Sequence, residues 1–476
     1  MTAAATRLRA WLPLLPALLV LAVWLPSLPA SFQFDDYAVI VDDPRVQSLA
    51  AWWQSMPGIR PLLKLSYALG HASGAGPIGF RAVNILLHAL NATLVFLLLR
   101  RLARRFRVAD EAGAAMLAAT GALVFALHPV QTESVTYVSG RSNVLMATFV
   151  LSALVVVTRR HDAAARIRFW FAQLATPVCV ALAMAVKETA VVAPLALLLV
   201  VLCDHGRSWR VALATAGPSL VIALILAVAG LLLLPYHALF SFSLALRDPW
   251  TNLLIEARGI GWLAGQLLRI DALNADPQLP VATGWDPPAV CSGLALLALL
   301  ALGIVSLRRN AGLAFGILWC FLWLAPTNSL LARLDVANDR QLYLPIIGVG
   351  WLLGLALLRL PLLLRDIVTV SQPLLLGLLA FVLAAGTVVR NTVYETEVRF
   401  WQDVVAQSPR NARAANNLGM AHALACEPLA ARSAFEAAIA IAPQDPLPQV
   451  NLALLERGEL PDGPRSVACI QQSPGH

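Results

Sequence analysis

Apolar runs of roughly twenty residues, most of them bounded by short arginine clusters, recur along most of this chain. In hydrocarbon, a segment of that length satisfies its backbone N–H and C=O groups only by coiling into a helix. The pattern predicts an all-α, polytopic membrane protein. Composition agrees: 59% of the 476 residues are hydrophobic and 13% charged, against about half and a quarter in soluble domains. The net charge of +8 is no nucleic-acid signal, because the arginines stand at the ends of apolar runs, where they set topology.

The basic clusters are Arg7/Arg9, Arg100–Arg107, Arg159–Arg168, Arg207/Arg210, Arg308/Arg309 and Arg359/Arg365. With all of them on the cytoplasmic side, eleven spans alternate consistently: 10–30, 80–99, 112–128, 139–158, 169–186, 189–203, 210–234, 289–307, 311–328, 342–360 and 372–390. The amino terminus is then inside and the carboxyl terminus outside. Residues 1–30 read as a retained first span, since Leu28 stands where signal cleavage would need a small residue. The apolar segment 252–270 breaks the alternation and reads as re-entrant or interfacial; otherwise it spans and the parity shifts further on.

This threading gathers the unusual polar residues on the outer side. FQFDDYAVIVDDP, 32–44, puts four aspartates directly after the first span, and opens an outer loop over 31–79. Trp52, Trp53, Arg60 and Lys64 in that loop have the composition of a helix lying at the interface. HPVQTESVTYVSGRSN contributes His128, Glu133, Arg141 and Asn143. Lys187-Glu188 interrupts a long apolar stretch, and Lys187 is one of only two lysines in the chain. A long outer segment covers 235–288, and RLDVANDRQLYLP supplies Arg333, Asp335, Asp339, Arg340 and Tyr343.

A carboxylate held at a membrane surface suits a general base acting on a hydroxyl, which makes Asp35 and Asp36 the catalytic candidates. Lys187, Arg340 and Arg141 converge on the same side and could hold a lipid phosphate, stabilising charge that develops on it as it leaves. Glu188, Glu133, His128, Arg60 and Tyr343 are supporting candidates. His88, with Asn84 and Asn91 at helical spacing, reads as a helix-to-helix hydrogen-bonding residue. No metal spacing occurs among the six cysteines, and no cofactor is expected. Asp35, Asp36, Asp42 and Asp43 could at most hold a divalent ion weakly. Cys179, Cys203, Cys291 and Cys320 read as small packing residues, whereas Cys426 and Cys469 could pair in an extracytoplasmic tail.

The chain divides into a membrane domain, 1–392, and a tail, 393–476. In the tail, Leu418, Gly419, Ala431, Phe435, Ala438 and Pro443 fall at the offsets of one tetratricopeptide repeat over about 412–445. One repeat with flanking fragments cannot bury a solenoid core, so this tail must dock on the membrane domain or on a partner.

Taken in order, FDDYAVIVDDP, RPLLKLSYALG, FRAVNILLHALNATLVFLLLRRL, FALHPVQTESVTYVSGRSNVLMATFVL, AVKETAVVAPLALL, NDRQLYLPIIG and the repeat resemble the transmembrane-and-tetratricopeptide-repeat protein O-mannosyltransferases and their bacterial relatives, in the GT-C superfamily. The resemblance covers nearly the whole chain. It implies a sugar transferase of the bacterial inner membrane with a periplasmic tail. The sugar, mannose-like, would come from a polyprenyl phosphate. Asp35 or Asp36 would deprotonate Ser or Thr of an exported protein, with inversion, and the repeat could recruit that acceptor. Gln131 and Asn143 depart from the family pattern, which carries a histidine and an acid there. Other readings are the same chemistry on a lipid or glycan acceptor, a transporter, and a non-catalytic scaffold.

Overall fold

The computed structural model describes residues 12–158, 165–204, 208–234, 236–279, 286–329, 331–364 and 371–460. Arg7, Arg9, Arg159, Arg160, Arg207, Arg365 and Cys469 lie outside the described residues. Among the described residues the regular elements are all helical. Ahead of the tail run α1 (Leu15–Trp24), α2 (Leu49–Gln54), α3 (Pro61–Ala72), α4 (Pro77–Arg105), α5 (Glu111–Leu127), α6 (Thr132–Val135), α7 (Arg141–Val157) and α8 (Ala165–Val186). They are followed by α9 (Ala193–Leu202), α10 (Trp209–Leu233), α11 (Tyr236–Leu246), α12 (Pro249–Gln266), α13 (Pro287–Ser306), α14 (Ala311–Leu324), α15 (Pro345–Leu364) and α16 (Gln372–Val393). The tail holds α17 (Glu397–Gln407), α18 (Ala412–Leu424), α19 (Pro428–Ile441) and α20 (Pro446–Arg457).

The ends of these helices follow local chemistry. Pro77 opens α4, where its missing N–H leaves nothing unsatisfied, and Arg104 and Arg105 stand at the negative end of the helix dipole. Asp110 caps α5 by accepting the Gly113 N–H at 2.8 Å. α5 stops at His128-Pro129, and the segment Pro129–Val135 continues at an angle of 50°.

Among the described residues five helical segments are long and apolar enough to cross a membrane: α4, Val138–Val157, α10, α13 and α16. The bent pair of α5 and Pro129–Val135 makes a sixth if it is one span. Shorter apolar helices occupy Leu12–Ser27, Ala172–Val186, Glu188–Leu202, Ala311–Leu324 and Pro345–Arg359. Each of the eleven hydropathy runs falls on one of these segments, so five or six of them pass by helix length and composition and the other five lie on the shorter apolar helices. α12 covers the segment that broke the alternation and belongs to neither group, and its Asn252, Glu256 and Gln266 are fully buried.

α5 lies at the centre, packed against α4 and α15. The α5–α15 contact runs through small residues: a Cβ on Gly350 would stand 2.9 Å from the Gly121 Cα, and one on Gly354 3.0 Å from the Leu117 side chain. Without a strong hydrophobic drive between helices in lipid, such close backbone approach supplies the dispersion contact that holds them. One continuous core joins Trp24, Phe125, Trp319 and Trp351.

The tail rests on the membrane domain. The Gln407 side chain donates to the Leu273 carbonyl at 2.8 Å, Asn274 donates to the Ser408 hydroxyl at 2.8 Å, and Arg413 reaches Asp335 at 2.9 Å. α18 and α19 pack as a hairpin, with Gly419 so close to the Phe435 ring that a Cβ would stand 2.5 Å away. Cys179, Cys203, Cys291 and Cys320 are free thiols, and Cys426 is in a disulfide.

Candidate functional site

The loop after the first helix is pinned by one buried guanidinium. Arg81 of α4 donates to the carbonyls of Leu28 (2.8 Å), Ala30 (2.6 Å), Ser31 (2.9 Å) and Thr136 (2.8 Å). Its planar fork thereby ties the exit of the first helix to the turn after α6. The chain then passes through Phe34, whose φ of 33° lies in the left-handed region.

The two adjacent aspartates point to different environments. Asp36 is fully buried; one oxygen accepts the Gln33 N–H at 3.1 Å and the other the Ser139 N–H at 2.7 Å. Burial pushes its carboxyl up to about 7, against the pull of those two amides and of Arg81. Both oxygens serve the fold. Asp35, 37% exposed, instead offers its carboxylate to Arg340 at 3.4 Å, while its own N–H donates to the Tyr137 hydroxyl at 2.8 Å.

Arg340 is held from behind by Glu133. The Arg340 backbone N–H donates to one carboxylate oxygen at 3.0 Å and its Nε lies 3.4 Å from the other. The Tyr137 ring lies beneath the guanidinium, 6.0 Å from it. Burial opposes the charge on Arg340, but Glu133 and Asp35 outweigh it and hold the group above its ordinary value.

Arg340 also borders a pocket with Lys187, Arg333, Asn338 and Tyr343. None of the lining side chains is acidic. Lys187 donates to the side-chain oxygen Oδ1 of Asn143 at 2.6 Å. Burial, with Arg60, Arg340 and Arg333 nearby, drives its ammonium well below the ordinary lysine value although Glu188 opposes this. Glu188 is itself occupied by a two-pronged pair with Arg60 at 2.9 and 2.5 Å. Asn143 accepts from Lys187 without neutralising it, as an acid there would. Arg333 and Arg340 with no acid in the lining leave an excess of positive charge that suits an anion, a phosphate most of all, and such an anion would favour the charged form of Lys187.

Asp35, Glu133, Lys187, Glu188, Arg60, Arg340 and Tyr343 are thus brought to one region. Three candidates are spent elsewhere. Arg141 is buried and donates to Asn84 Oδ1 (2.8 Å), Phe80 O (2.6 Å) and Ser66 O (3.1 Å), with Tyr67 4.9 Å away as a cation–π partner. It does not line the pocket. His128 caps the bend after α5, accepting the Val130 N–H at 3.2 Å through Nδ1 and donating to Leu267 O at 3.1 Å through Nε2. Asp36 is the third. Of the other two aspartates, Asp43 pairs with Arg45 at 2.7 Å. No group of three or more potential metal ligands occurs among the described residues. Arg333 and Tyr137 acquire places here that sequence reasoning did not give them. Tyr137, four residues after Glu133 on a polar turn, was the available signal.

A family model described as glycosyltransferase family 87 matches residues 75–333. Curated relatives include protein O-mannosyl-transferase Tmtc1 of Drosophila melanogaster, 37% identical over 146 residues, or 30% of this chain and 15% of that protein. Protein O-mannosyl-transferase Tmtc2 of the same organism is 31% identical over 183 residues, 34% of this chain and 19% of its own length. Human protein O-mannosyl-transferase TMTC4 is 35% identical over 146 residues, 25% of this chain and 19% of its own. The matches therefore span less than a fifth of each of these relatives.

Proposed function

This chain belongs to glycosyltransferase family 87, and from that premise we propose that it is a membrane enzyme moving a mannose-like sugar from a polyprenyl phosphate to Ser or Thr hydroxyls of exported proteins. One observation carries the reading. An accessible carboxylate, Asp35, stands 3.4 Å from an arginine that also borders a pocket of three cations and no acid. Asp35 takes the acceptor hydroxyl proton. The oxygen attacks the anomeric carbon from the face opposite the phosphate. The bond between that carbon and the phosphate oxygen breaks with its electron pair on the phosphate, and the configuration inverts through an oxocarbenium-like state. Lys187, Arg333 and Arg340 neutralise the departing phosphate inside a buried site, where fixed charge acts most strongly. Glu133 keeps Arg340 in place, and Glu188 does the same for Arg60. No resident cofactor takes part.

In this reading the eleven apolar helices found among the described residues, counting the bent pair as one, all cross a bacterial inner membrane. The amino terminus is cytoplasmic, and the tail, with its hairpin read as one tetratricopeptide repeat, is periplasmic and available to recruit the acceptor. The coincidence of the eleven hydropathy runs with eleven apolar helices, counting the bent pair as one, supports it. The test is transfer of labelled sugar from polyprenyl phosphate to periplasmic protein in membranes carrying the wild type or Asp35→Asn. Label entering protein in the first and not in the second is expected. Equal labelling removes Asp35 from the chemistry. Label entering lipid or glycan moves the acceptor to that class, and no transfer at all leaves a scaffold or a transporter.

A further inference from the structure

The candidate base follows a strained residue, and what braces that residue comes from the tail. A bulky side chain at a φ of 33° is a backbone outlier, and Phe34 holds it immediately before Asp35. The edge of its ring contact is Trp401 of α17, with centroids 5.1 Å apart and planes at 87°. Trp401 is itself buried, packed on Phe400 at 5.0 Å. The backbone on either side of Tyr394 and Glu395 completes the brace: the Gln33 side chain donates to Tyr394 O at 3.0 Å and the Ser31 N–H to Glu395 O at 3.1 Å. Tyr137, whose hydroxyl accepts the Asp35 N–H, belongs to the same buried aromatic cluster as Trp401. Two contacts therefore run from one aromatic cluster to this short stretch of chain: Trp401 of the tail against the Phe34 ring, and Tyr137 of the membrane domain on the Asp35 N–H.

We propose that Trp401 is a positioning residue: by bracing Phe34 in its left-handed conformation, α17 of the tail aims the Asp35 carboxylate at the substrate. The catalytic group is contributed by the membrane domain and its geometry by the tail. The turn that follows Phe34, with the Asp36 N–H on Gln33 O at 2.7 Å and the Tyr37 N–H on Phe34 O at 3.2 Å, forms only while that conformation is held. This inference rests on Asp35 being the base.

The test uses the full-length protein in membranes and in detergent. Losing the brace releases a left-handed residue worth roughly a 5- to 30-fold change in population. Trp401→Ala is expected to lower kcat by about that factor and to leave the donor KM unchanged, because Lys187, Arg333 and Arg340 do not touch Trp401. Trp401→Phe, which keeps an aromatic edge, is expected to retain most of the rate. Phe34→Gly, which adopts the left-handed region without a Cβ penalty, is expected to restore part of the kcat lost in Trp401→Ala. A tail that merely fails to dock would not be rescued in that way. Amide hydrogen exchange over residues 31–40 supplies a readout independent of turnover. It is expected to quicken in Trp401→Ala while α4 and α7 stay protected. Unchanged exchange there, unchanged kcat, or no rescue by Phe34→Gly each overturns the proposal. Quickened exchange in a protein whose wild type transfers no sugar overturns the enzymatic reading and leaves the brace itself standing.

Discussion

Replacing each aspartate of the adjacent pair by asparagine separates chemistry from folding. Asp36→Asn swaps one acceptor oxygen for an NH₂ group that faces a backbone N–H, either that of Gln33 or that of Ser139. A buried donor left unsatisfied costs about 1–3 kcal/mol. Asp35→Asn disturbs one partly exposed pair at 3.4 Å, and such pairs contribute about 0–1 kcal/mol. Removing a positioned general base, however, costs about 10²- to 10⁴-fold in rate. Asp35→Asn should therefore unfold like the wild type and lose transfer. Asp36→Asn should unfold more readily, and its folded fraction should retain measurable transfer. Denaturant unfolding in detergent, followed by tryptophan fluorescence, measures the first quantity, and initial rates normalised to folded protein measure the second. Normal unfolding with abolished transfer in Asp36→Asn, and normal transfer in Asp35→Asn, would reverse the two assignments and refute the reasoning.

Lys187→Gln removes one charge-assisted contact to a phosphate, worth about 1.5–3 kcal/mol. The donor kcat/KM should fall by about 10- to 150-fold with little change in unfolding, and an unchanged value takes the phosphate out of that pocket. Gly140→Ala places a Cβ 2.5 Å from the Glu133 carbonyl and 2.6 Å from that of Ser134. Neither is a flexible side-chain end, so the yield of folded protein should drop sharply in a size-exclusion assay. The pH dependence has a definite sign. Asp36 is raised in the folded protein from 3.8 to about 7, so between those values the native state holds a proton that the unfolded chain has lost. Stability should fall as pH rises through that window, by up to about 1.4 kcal/mol per pH unit. Burial raises Asp339 as well, with the nearby Glu133 adding to the shift, and this extends the decline upward. Asp36→Asn should flatten the lower part of the profile.

The helical membrane architecture was legible in the sequence because hydropathy is a local sum. Any window of about twenty residues reports its own preference for lipid without reference to the rest of the chain. The same local reading found the region of the site, since Asp35, Lys187, Glu133 and Arg340 are charges where charge is costly. It also located the apolar helices: each of the eleven runs falls on one among the described residues, although five of those helices are shorter than a full span.

Which charges remain free for a substrate could not be read in this way. Asp35 and Asp36 are neighbours of identical chemistry, and Ser139, 103 residues away, takes up one of them. Arg141 and Arg333 are alike in type; Asn84, Phe80 and Ser66 consume the first, while the second borders the pocket. The partner of Asp35 lies 305 residues along the chain. A side chain's hydrogen-bonding capacity is a property of its type, and is written in the sequence. How that capacity is spent depends on which distant groups the packed helices bring within about 3 Å, since beyond that distance the bond is lost. Here that accounting, done only on folding, leaves Asp35 partly exposed and sets Lys187, Arg333 and Arg340 around one pocket without an acid.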